Sequence, residues 1–492
     1  MSKFLFALLA GAIMPLAFAP FGFFPIAVLS LSIFFYLCLE ETAARSFKVG
    51  LVYGLGYFGI GVSWLQISIH QFGLPVLAFS VFMTLLFVLV IALFSGFTAA
   101  ATARFFKSKS EDQRLKLLLI YPMFWVIFEW VRSWLFTGFP WLTVGYSQID
   151  SPLAGFGAIT GIYGISLIVA ISAGALALLI RERRWILSLS IIIPLWMAGF
   201  VLKSIDWTIE QPEQVDVALV QGNVAQDIKW LPAQKQVTLD LYTQHSEPFW
   251  GQADLIIWPE TALPAFAHDI PEFIGALKAR AEQSSTDILL GLPLADPKTG
   301  KYYNAVLSLG NELNVYRKDH LVPFGEYLPL KSFLNPILTF LSIPMSDFSK
   351  GEAKKTLIKT SKYSIGISVC YEDVFGEEVI TGLPEADFLV NISNDAWFGD
   401  SFAPHQHLEM ARMRALETGR YLVRATNTGV SAIIDQKGII VKQIPQFKET
   451  TLSASIKSFS GATPYVRLGN LPVIILCFLV ITVCAIRARG ET

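Results

Sequence analysis

The sequence predicts a helical membrane bundle of eight spans carrying one α/β layered domain outside the lipid. Three observations predict it. The 492 residues are 53% hydrophobic and 16% charged, well below the quarter charged that soluble domains carry. The long apolar runs lie before residue 204 and after residue 468. Between them, short apolar strands alternate with helix-like stretches and turn pairs, the pattern of an α/β layered domain.

Eight apolar segments lie near 3–20, 22–40, 47–66, 73–98, 117–137, 158–180, 185–203 and 469–487. Each approaches the ~20 residues that cross about 30 Å of hydrocarbon. Pro20-Phe21-Gly22 separates the first pair and makes a tight hairpin. Ala17-Phe18-Ala19 looks like the end of a secretory signal, but Pro20 directly after it disfavours cleavage, so the segment is expected to stay as a span. Cations fall at alternate span ends: Lys3; Arg45 and Lys48; Arg104, Lys107, Lys109, Arg114 and Lys116; Arg181, Arg183 and Arg184; Arg487 and Arg489. All lie on the inner side if both termini are cytoplasmic. The expected division is a membrane unit of seven helices at 1–203, a non-cytoplasmic domain at 204–468, and an eighth helix with a cytoplasmic tail at 469–492.

In the outer region, strands are expected at 215–220, 254–258, 288–291, 302–309, 313–318, 363–370, 388–393, 430–434 and 439–443. Helices are expected at 231–249, 271–283 and 405–417, and another beginning near Gly376. Gly310-Asn311 reads as a hairpin turn. The sequence has no internal repeat and no low-complexity tract. A net charge of −1 argues against nucleic acid as a partner. Of four cysteines, Cys38, Cys477 and Cys484 lie in apolar runs, so Cys370 is alone in the outer region and forms no disulfide there.

Cys370 closes a strand in which Tyr363, Ile365, Ile367 and Val369 alternate with small residues. A thiol at a strand end is held by rigid backbone yet open to a cleft, which suits a nucleophile; a buried structural cysteine is the other reading. Trp258-Pro259-Glu260 places a carboxylate just past a buried strand, and Tyr316-Arg317-Lys318 places an ammonium at the end of a hairpin strand. A thiol of pKa about 8.5 is mostly protonated at neutral pH. A neighbouring cation lowers that pKa and a carboxylate takes the proton. The cation then steadies an oxyanion. Glu260, Lys318 and Cys370 therefore suffice for acyl transfer through a thioester. Spacing alone leaves open Glu260 as a helix cap, Lys318 as a solvated strand end and Cys370 as packing.

Trp258-Pro259-Glu260, Lys318 ahead of His320-Leu321-Val322-Pro323-Phe324-Gly325-Glu326-Tyr327, and Cys370-Tyr371-Glu372 occur in that order. Over roughly 214–450 they resemble the nitrilase superfamily, which implies an αββα sandwich with Glu260, Lys318 and Cys370 as a catalytic triad. Four further motifs resemble the apolipoprotein N-acyltransferase family across essentially the whole chain. They are Leu16-Ala17-Phe18-Ala19-Pro20-Phe21-Gly22, Gly138-Phe139-Pro140-Trp141, Gln221-Gly222-Asn223 and Ser393-Asn394-Asp395-Ala396-Trp397-Phe398. That resemblance implies a multi-pass monomer in the bacterial inner membrane, with its catalytic domain in the periplasm. The implied reaction is ping-pong: Glu260 deprotonates Cys370, and the thiolate takes the sn-1 acyl chain of phosphatidylethanolamine. Lys318 steadies the oxyanion, and the amine of a diacylglyceryl-cysteine on a lipoprotein receives the chain. No cofactor or metal is implied, and His405-x-His407 is assigned to the start of a helix.

The resemblance extends to supporting residues. Glu326 matches an extra active-site glutamate. Glu372 either supports the second half-reaction or is a helix N-terminal charge. Tyr371 orients the loop or gives its backbone N–H to the oxyanion. Trp230 and Asn304 match positions near the lipid cleft, with packing as the alternative for Trp230. Trp397 and Phe398 form a lipid-facing flap or pack in the core. Glu129 and Arg132 lie three apart in the fifth apolar run, on one helix face. Ionisable groups in lipid are paired or functional, so they are a structural pair or a headgroup site. Two other functions compete. A membrane-tethered amide hydrolase shares the triad but needs only one span. A transporter requires polar breaks at matching positions of two repeats, and the chain has no repeat.

Overall fold

The structure is a computed structural model that describes residues 2–73, 75–106, 112–329, 347–352 and 356–490. Apolar helices form Ser2–Ile13, Pro25–Cys38, Ala43–Gly61, Leu65–Phe72, Leu77–Phe105, Tyr121–Arg132, Gly157–Glu182, Trp185–Lys203 and Leu471–Gly490. Backbones approach closely where side chains are smallest. A Cβ on Gly11 would sit 2.0 Å from the Tyr53 carbonyl oxygen, and one on Gly50 would sit 2.5 Å from that of Ser95. Such small-residue contacts let helices pack without a solvent-driven hydrophobic force.

The expectation of eight full-length spans needs correction. Among the described residues, three helical stretches are long and apolar enough to cross a membrane, Leu77–Phe105, Pro152–Glu182 and Trp185–Lys203. A fourth arises if Ala43–Gly61 and Leu65–Phe72, bent by 59°, make one span. Ser2–Ala17, Pro25–Cys38 and Leu471–Arg487 are shorter apolar helices. Apolar run length does not report where a helix breaks. The first run tightens into a 3₁₀ turn at Met14–Ala17. The fifth leaves the helix after Arg132, and Phe136 and Thr137 take left-handed backbone. Lys107, Lys109 and the side chain of Arg489 lie outside the described residues.

Among the described residues, the remainder builds two six-stranded sheets. In chain order the strands are β1 Ile209–Gln221, β2 Leu255–Ile257, β3 Asp287–Ala295, β4 Tyr302–Leu309, β5 Asn314–Arg317, β6 Leu357–Lys359, β7 Ser364–Val369, β8 Phe388–Ser393, β9 Leu422–Thr426, β10 Ser431–Ile434, β11 Ile440–Ile444 and β12 Thr450–Ser460. The sheet orders are β12-β1-β2-β3-β4-β5 and β11-β10-β9-β8-β7-β6. β1, β2 and β3 run parallel, as do β7, β8 and β9, and the other pairings are antiparallel.

Alternation along each strand sorts residues between two cores. Val215, Val217 and Leu219 of β1 meet Ile365, Ile367 and Val369 of β7 between the sheets. Ala218 and Val220 face outward onto Leu239 and Tyr242 of the Pro232–Ser246 helix and Leu277 of Pro271–Ser284. Leu408, Ala411 and Ala415 of the Ala403–Thr418 helix cover the second sheet. The result is an αββα sandwich, in which β7 is buried continuously from Ile365 to Val369 and turns Ile365, Ile367 and Val369 into the core between the sheets.

The Ala403–Thr418 helix also joins the sandwich to the apolar helices. Buried Gln406 accepts indole N–H bonds from Trp64 (3.2 Å) and Trp141 (3.0 Å), and donates to the Gly61 carbonyl (3.2 Å). Glu409 accepts from the Ala19 N–H (3.0 Å), and Arg412 pairs with Asp150. Gln406→Leu removes both acceptor bonds and the donor bond. Each buried polar group left unpaired costs about 1–3 kcal/mol. Denaturant unfolding in detergent should therefore show a lower midpoint; an unchanged midpoint would contradict Gln406 as the tie.

Candidate active site

β7 delivers Cys370 at its carboxyl end, where the chain turns sharply into a 3₁₀ turn at Cys370–Val374. Cys370 has φ +51°, a left-handed backbone that costs a non-glycine residue about 1–3 kcal/mol unless its surroundings hold it. Glu372 provides that hold. Its Oε2 accepts the Val369 N–H (2.7 Å). Its Oε1 accepts the N–H groups of Asp319 (2.7 Å) and His320 (3.1 Å) and the Tyr316 hydroxyl (3.0 Å). The carboxylate thus bolts the elbow to the segment that follows Lys318. Glu372 also lies in the first turn of the 3₁₀ segment, where it accepts the N–H of Val369, the residue that precedes that turn. Burial raises its pKa to about 7, against the opposing pull of Lys318 and these backbone bonds.

Glu260 follows β2 in a turn lying flat on β3. A Cβ on Gly291 would meet the Pro259 carbonyl at 2.5 Å and the Glu260 Cα at 2.8 Å, so only glycine lets the turn rest there. Asn304 of β4 donates from Nδ2 to Glu260 Oε1 (2.7 Å) and to Glu326 Oε1 (2.9 Å). Lys318, just past β5, is 1% exposed; its Nζ lies 2.9 Å from Glu326 Oε2 and 3.6 Å from Glu260 Oε1. Glu326 also accepts the Val322 N–H (2.8 Å).

The electrostatics follow from burial. Burial opposes the Lys318 charge, but Glu326 and Glu260 more than offset it and raise its pKa, so it is an ammonium. Burial raises the Glu260 carboxyl, Lys318 pulls it down and Glu326 raises it again, with a net upward shift. Burial and then Glu260 push the Cys370 thiol well up, against Lys318. Ionisation of the sulfur is thus opposed by burial and Glu260 and favoured by Lys318.

The other expected residues divide. Trp230 is half-buried beside Lys229 in the loop after β1. Trp397 meets Phe72 edge to face at 4.4 Å, and Phe398 meets Trp64 at 4.9 Å. Both are half-buried against the apolar helices rather than in the sandwich core. Glu129 and Arg132 face the same loop instead of bonding each other. Glu129 Oε1 accepts the Val144 N–H (2.8 Å), while Arg132 donates to the carbonyls of Phe139 and Trp141 (2.6 Å each). That loop reaches the elbow. The Gly138 carbonyl accepts the Tyr371 hydroxyl (2.8 Å), and Trp141 stacks on the Tyr371 ring at 6.0 Å.

Sequence reasoning missed a buried network beneath Cys370. His407 bonds Asp373 through Nε2 (2.8 Å) and Asp395 through Nδ1 (3.0 Å). Arg424 donates to Asp373 (3.1 Å), to Asp395 (3.0 Å) and to Asn391. Asn391 Nδ2 reaches the Cys370 carbonyl at 3.3 Å. His407 is therefore no decoration of a helix start but fully buried between carboxylates. Burial and Arg424 disfavour its charge, yet the two aspartates raise its pKa overall. The available signal was an arginine inside the apolar run Leu422-Val423-Arg424-Ala425, since a buried charge demands partners.

Residues 10–175 match the family model described as Apolipoprotein N-acyltransferase N-terminal domain, and residues 216–465 match Carbon-nitrogen hydrolase. A protein of Methylococcus capsulatus named apolipoprotein N-acyltransferase is 43% identical, over 99% of this chain and 97% of its own. One of Coxiella burnetii with the same name is 42% identical, over 97% of this chain and 99% of its own. The chain belongs to the apolipoprotein N-acyltransferase family. A solved carbon-nitrogen hydrolase of Helicobacter pylori is 18% identical, covering 49% of this chain and 89% of its own with a TM-score of 0.38. Within the N-acyltransferase family assignment, the helical part and the sandwich correspond to the two matched models.

The Glu372 tie yields a test. In Glu372→Gln, whichever way the amide turns, its NH₂ faces at least one backbone N–H. Each N–H so orphaned costs about 1–3 kcal/mol. Denaturant unfolding in detergent should report that loss, and equal stability would contradict the tie.

Proposed function

We propose that the protein is an apolipoprotein N-acyltransferase that carries a fatty acyl chain as a thioester on Cys370. The chain comes from a membrane phospholipid and goes to the N-terminal amine of a diacylglyceryl-cysteine. The observation that carries this reading is the convergence of Cys370, Glu260 and buried Lys318 at neighbouring strand ends, against a loop that descends from the apolar helices.

Glu260 takes the proton from the Cys370 thiol as the sulfur attacks the ester carbonyl. Lys318 meets the negative charge on the carbonyl oxygen, where a fixed ammonium in a dry site is worth most. The ester C–O bond then breaks, the glycerol oxygen takes the proton from Glu260, and lysophospholipid leaves. In the second half, the acceptor amine attacks the thioester carbonyl and gives a proton to Glu260. The C–S bond breaks, the amide forms, and the proton returns to sulfur. Burial raises the pKa of both Glu260 and Cys370, and Lys318 opposes both shifts, so the ammonium favours the ionised carboxylate that receives the thiol proton. Asn304 and Glu326 orient Glu260 and Lys318. Tyr371 fixes the elbow against the Gly138–Trp141 loop, which Arg132 and Glu129 hold. Trp230, Trp397 and Phe398 form apolar walls for the lipid.

In this reading the apolar helices of residues 1–203 and 469–492 hold the chain in the bacterial inner membrane, and residues 204–468 form the periplasmic catalytic domain. Both termini are cytoplasmic, the donor is phosphatidylethanolamine and the working unit is a monomer. The alternating cation clusters support the orientation, and the lipid nature of both substrates supports a site at the outer leaflet.

Transfer to a synthetic diacylated lipopeptide should vanish in Cys370→Ala. In Lys318→Met it should fall about 10²–10³-fold, with Lys318→Arg retaining more. Both follow from chromatographic assay of the triacylated product with phosphatidylethanolamine vesicles. Full transfer by Cys370→Ala, or release of free fatty acid in place of acylated peptide, would contradict the assignment.

A further inference from the structure

The charges around the base do not balance on the residues considered so far. Glu260 and Glu326 bring two carboxylates into a buried cluster, and Lys318 brings one ammonium. An uncompensated buried negative charge drives a carboxyl to hold its proton. A base poised to receive a proton needs the opposite. One more cation lies close by. Lys229 sits in the loop after β1 and is 1% exposed. Its own backbone is fixed by a bond from its N–H to the Ala225 carbonyl (3.1 Å). Its Nζ donates to the Thr261 hydroxyl oxygen at 2.9 Å. Thr261 directly follows Glu260 and has φ +46°, so the bond pins a left-handed residue within the turn that presents the base.

A lysine buried to this extent is costly without a counter-charge. The charged group acting in its favour is Glu260, which counters the burial that lowers its pKa to about 8. The groups acting on Glu260 are Lys318, Glu326, Asn304 and Lys229. Glu260 in turn acts on Cys370.

We propose that Lys229 is a further positioning residue of the acyl-transfer site: its ammonium completes the charge balance of the Glu260–Glu326–Lys318 cluster, and its bond to Thr261 sets the turn that holds Glu260. The proposal rests on the reading of Glu260 as the base for Cys370. A charged Lys229 favours ionised Glu260, so removing that charge raises the Glu260 pKa. The acid limb of acylation, which follows the ionised fraction of Glu260, then moves to higher pH.

The test uses the full chain in detergent micelles with phosphatidylethanolamine. The readout is the single-turnover rate of hydroxylamine-labile acyl attachment to Cys370, measured against pH. Lys229→Met and Lys229→Gln should both shift the acid limb upward by at least ~0.5 pH unit and slow acylation at neutral pH by roughly threefold or more. Lys229→Arg should restore the limb. Lys229→Gln keeps a donor for Thr261, so it separates charge from bond and serves also where Lys229→Met does not fold. A wild-type profile in a neutral variant that still forms the thioester would overturn the proposal alone, even if that variant melted earlier. Absence of acyl on wild-type Cys370 would overturn the underlying reading, and the proposal with it.

Discussion

The buried ammonium of Lys318 constrains the site more than any other group. Alone, it would be too costly to keep charged in the interior; with Glu326 at 2.9 Å and Glu260 at 3.6 Å, it stays an ion. Removing one member of such a cluster leaves an uncompensated charge, a loss of about 3–5 kcal/mol. Much of the local structure can be read as meeting this requirement. Asn304 on β4 spans both carboxylates, and the Lys318 N–H bonds the Asn304 carbonyl at 2.8 Å. Gly291 lets the Glu260 turn lie against β3. Glu372 links the backbone after Lys318 to the elbow that carries Cys370. Glu260, Lys318 and the elbow at Cys370 are therefore joined by one set of hydrogen bonds.

The same elbow is tied to the apolar helices along two routes. Tyr371, next to Cys370, bonds the Gly138 carbonyl on the loop held by Arg132. His407 binds Asp373 and Asp395 from within the Ala403–Thr418 helix, and its neighbour Gln406 binds Trp64, Trp141 and Gly61. One helix thus touches the network beneath the thiol and the break between two apolar helices. That continuity fixes the position of the Cys370 elbow relative to the apolar helices.

Strong periodicity and local turn chemistry made most of the sandwich legible in the sequence. β8 at Phe388–Ser393 and β4 at Tyr302–Leu309 carry the ends expected of them. β9 was missed because Arg424 interrupts its apolar run, and β12 because Thr, Ser and Ala fill so many of its positions. Glu260, Lys318 and Cys370 were legible because each sits at the end of a recognisable strand. Asp373, Asp395, His407, Arg424 and Lys229 were not, because their meaning lies in contacts between distant segments. Helix breaks also escaped the reading: an apolar run looks the same whether its helix continues, as at Leu77–Phe105, or bends, as between Gly61 and Leu65.

The central claim is that Cys370 holds the acyl chain between donor and acceptor. Peptide mass spectrometry after incubation with phosphatidylethanolamine, with no acceptor present, addresses it directly. The expected result is one fatty acyl group on the peptide containing Cys370, lost on treatment with hydroxylamine and absent from Cys370→Ala. An unmodified Cys370 peptide, or an acyl group on another residue of an active enzyme, would contradict the account.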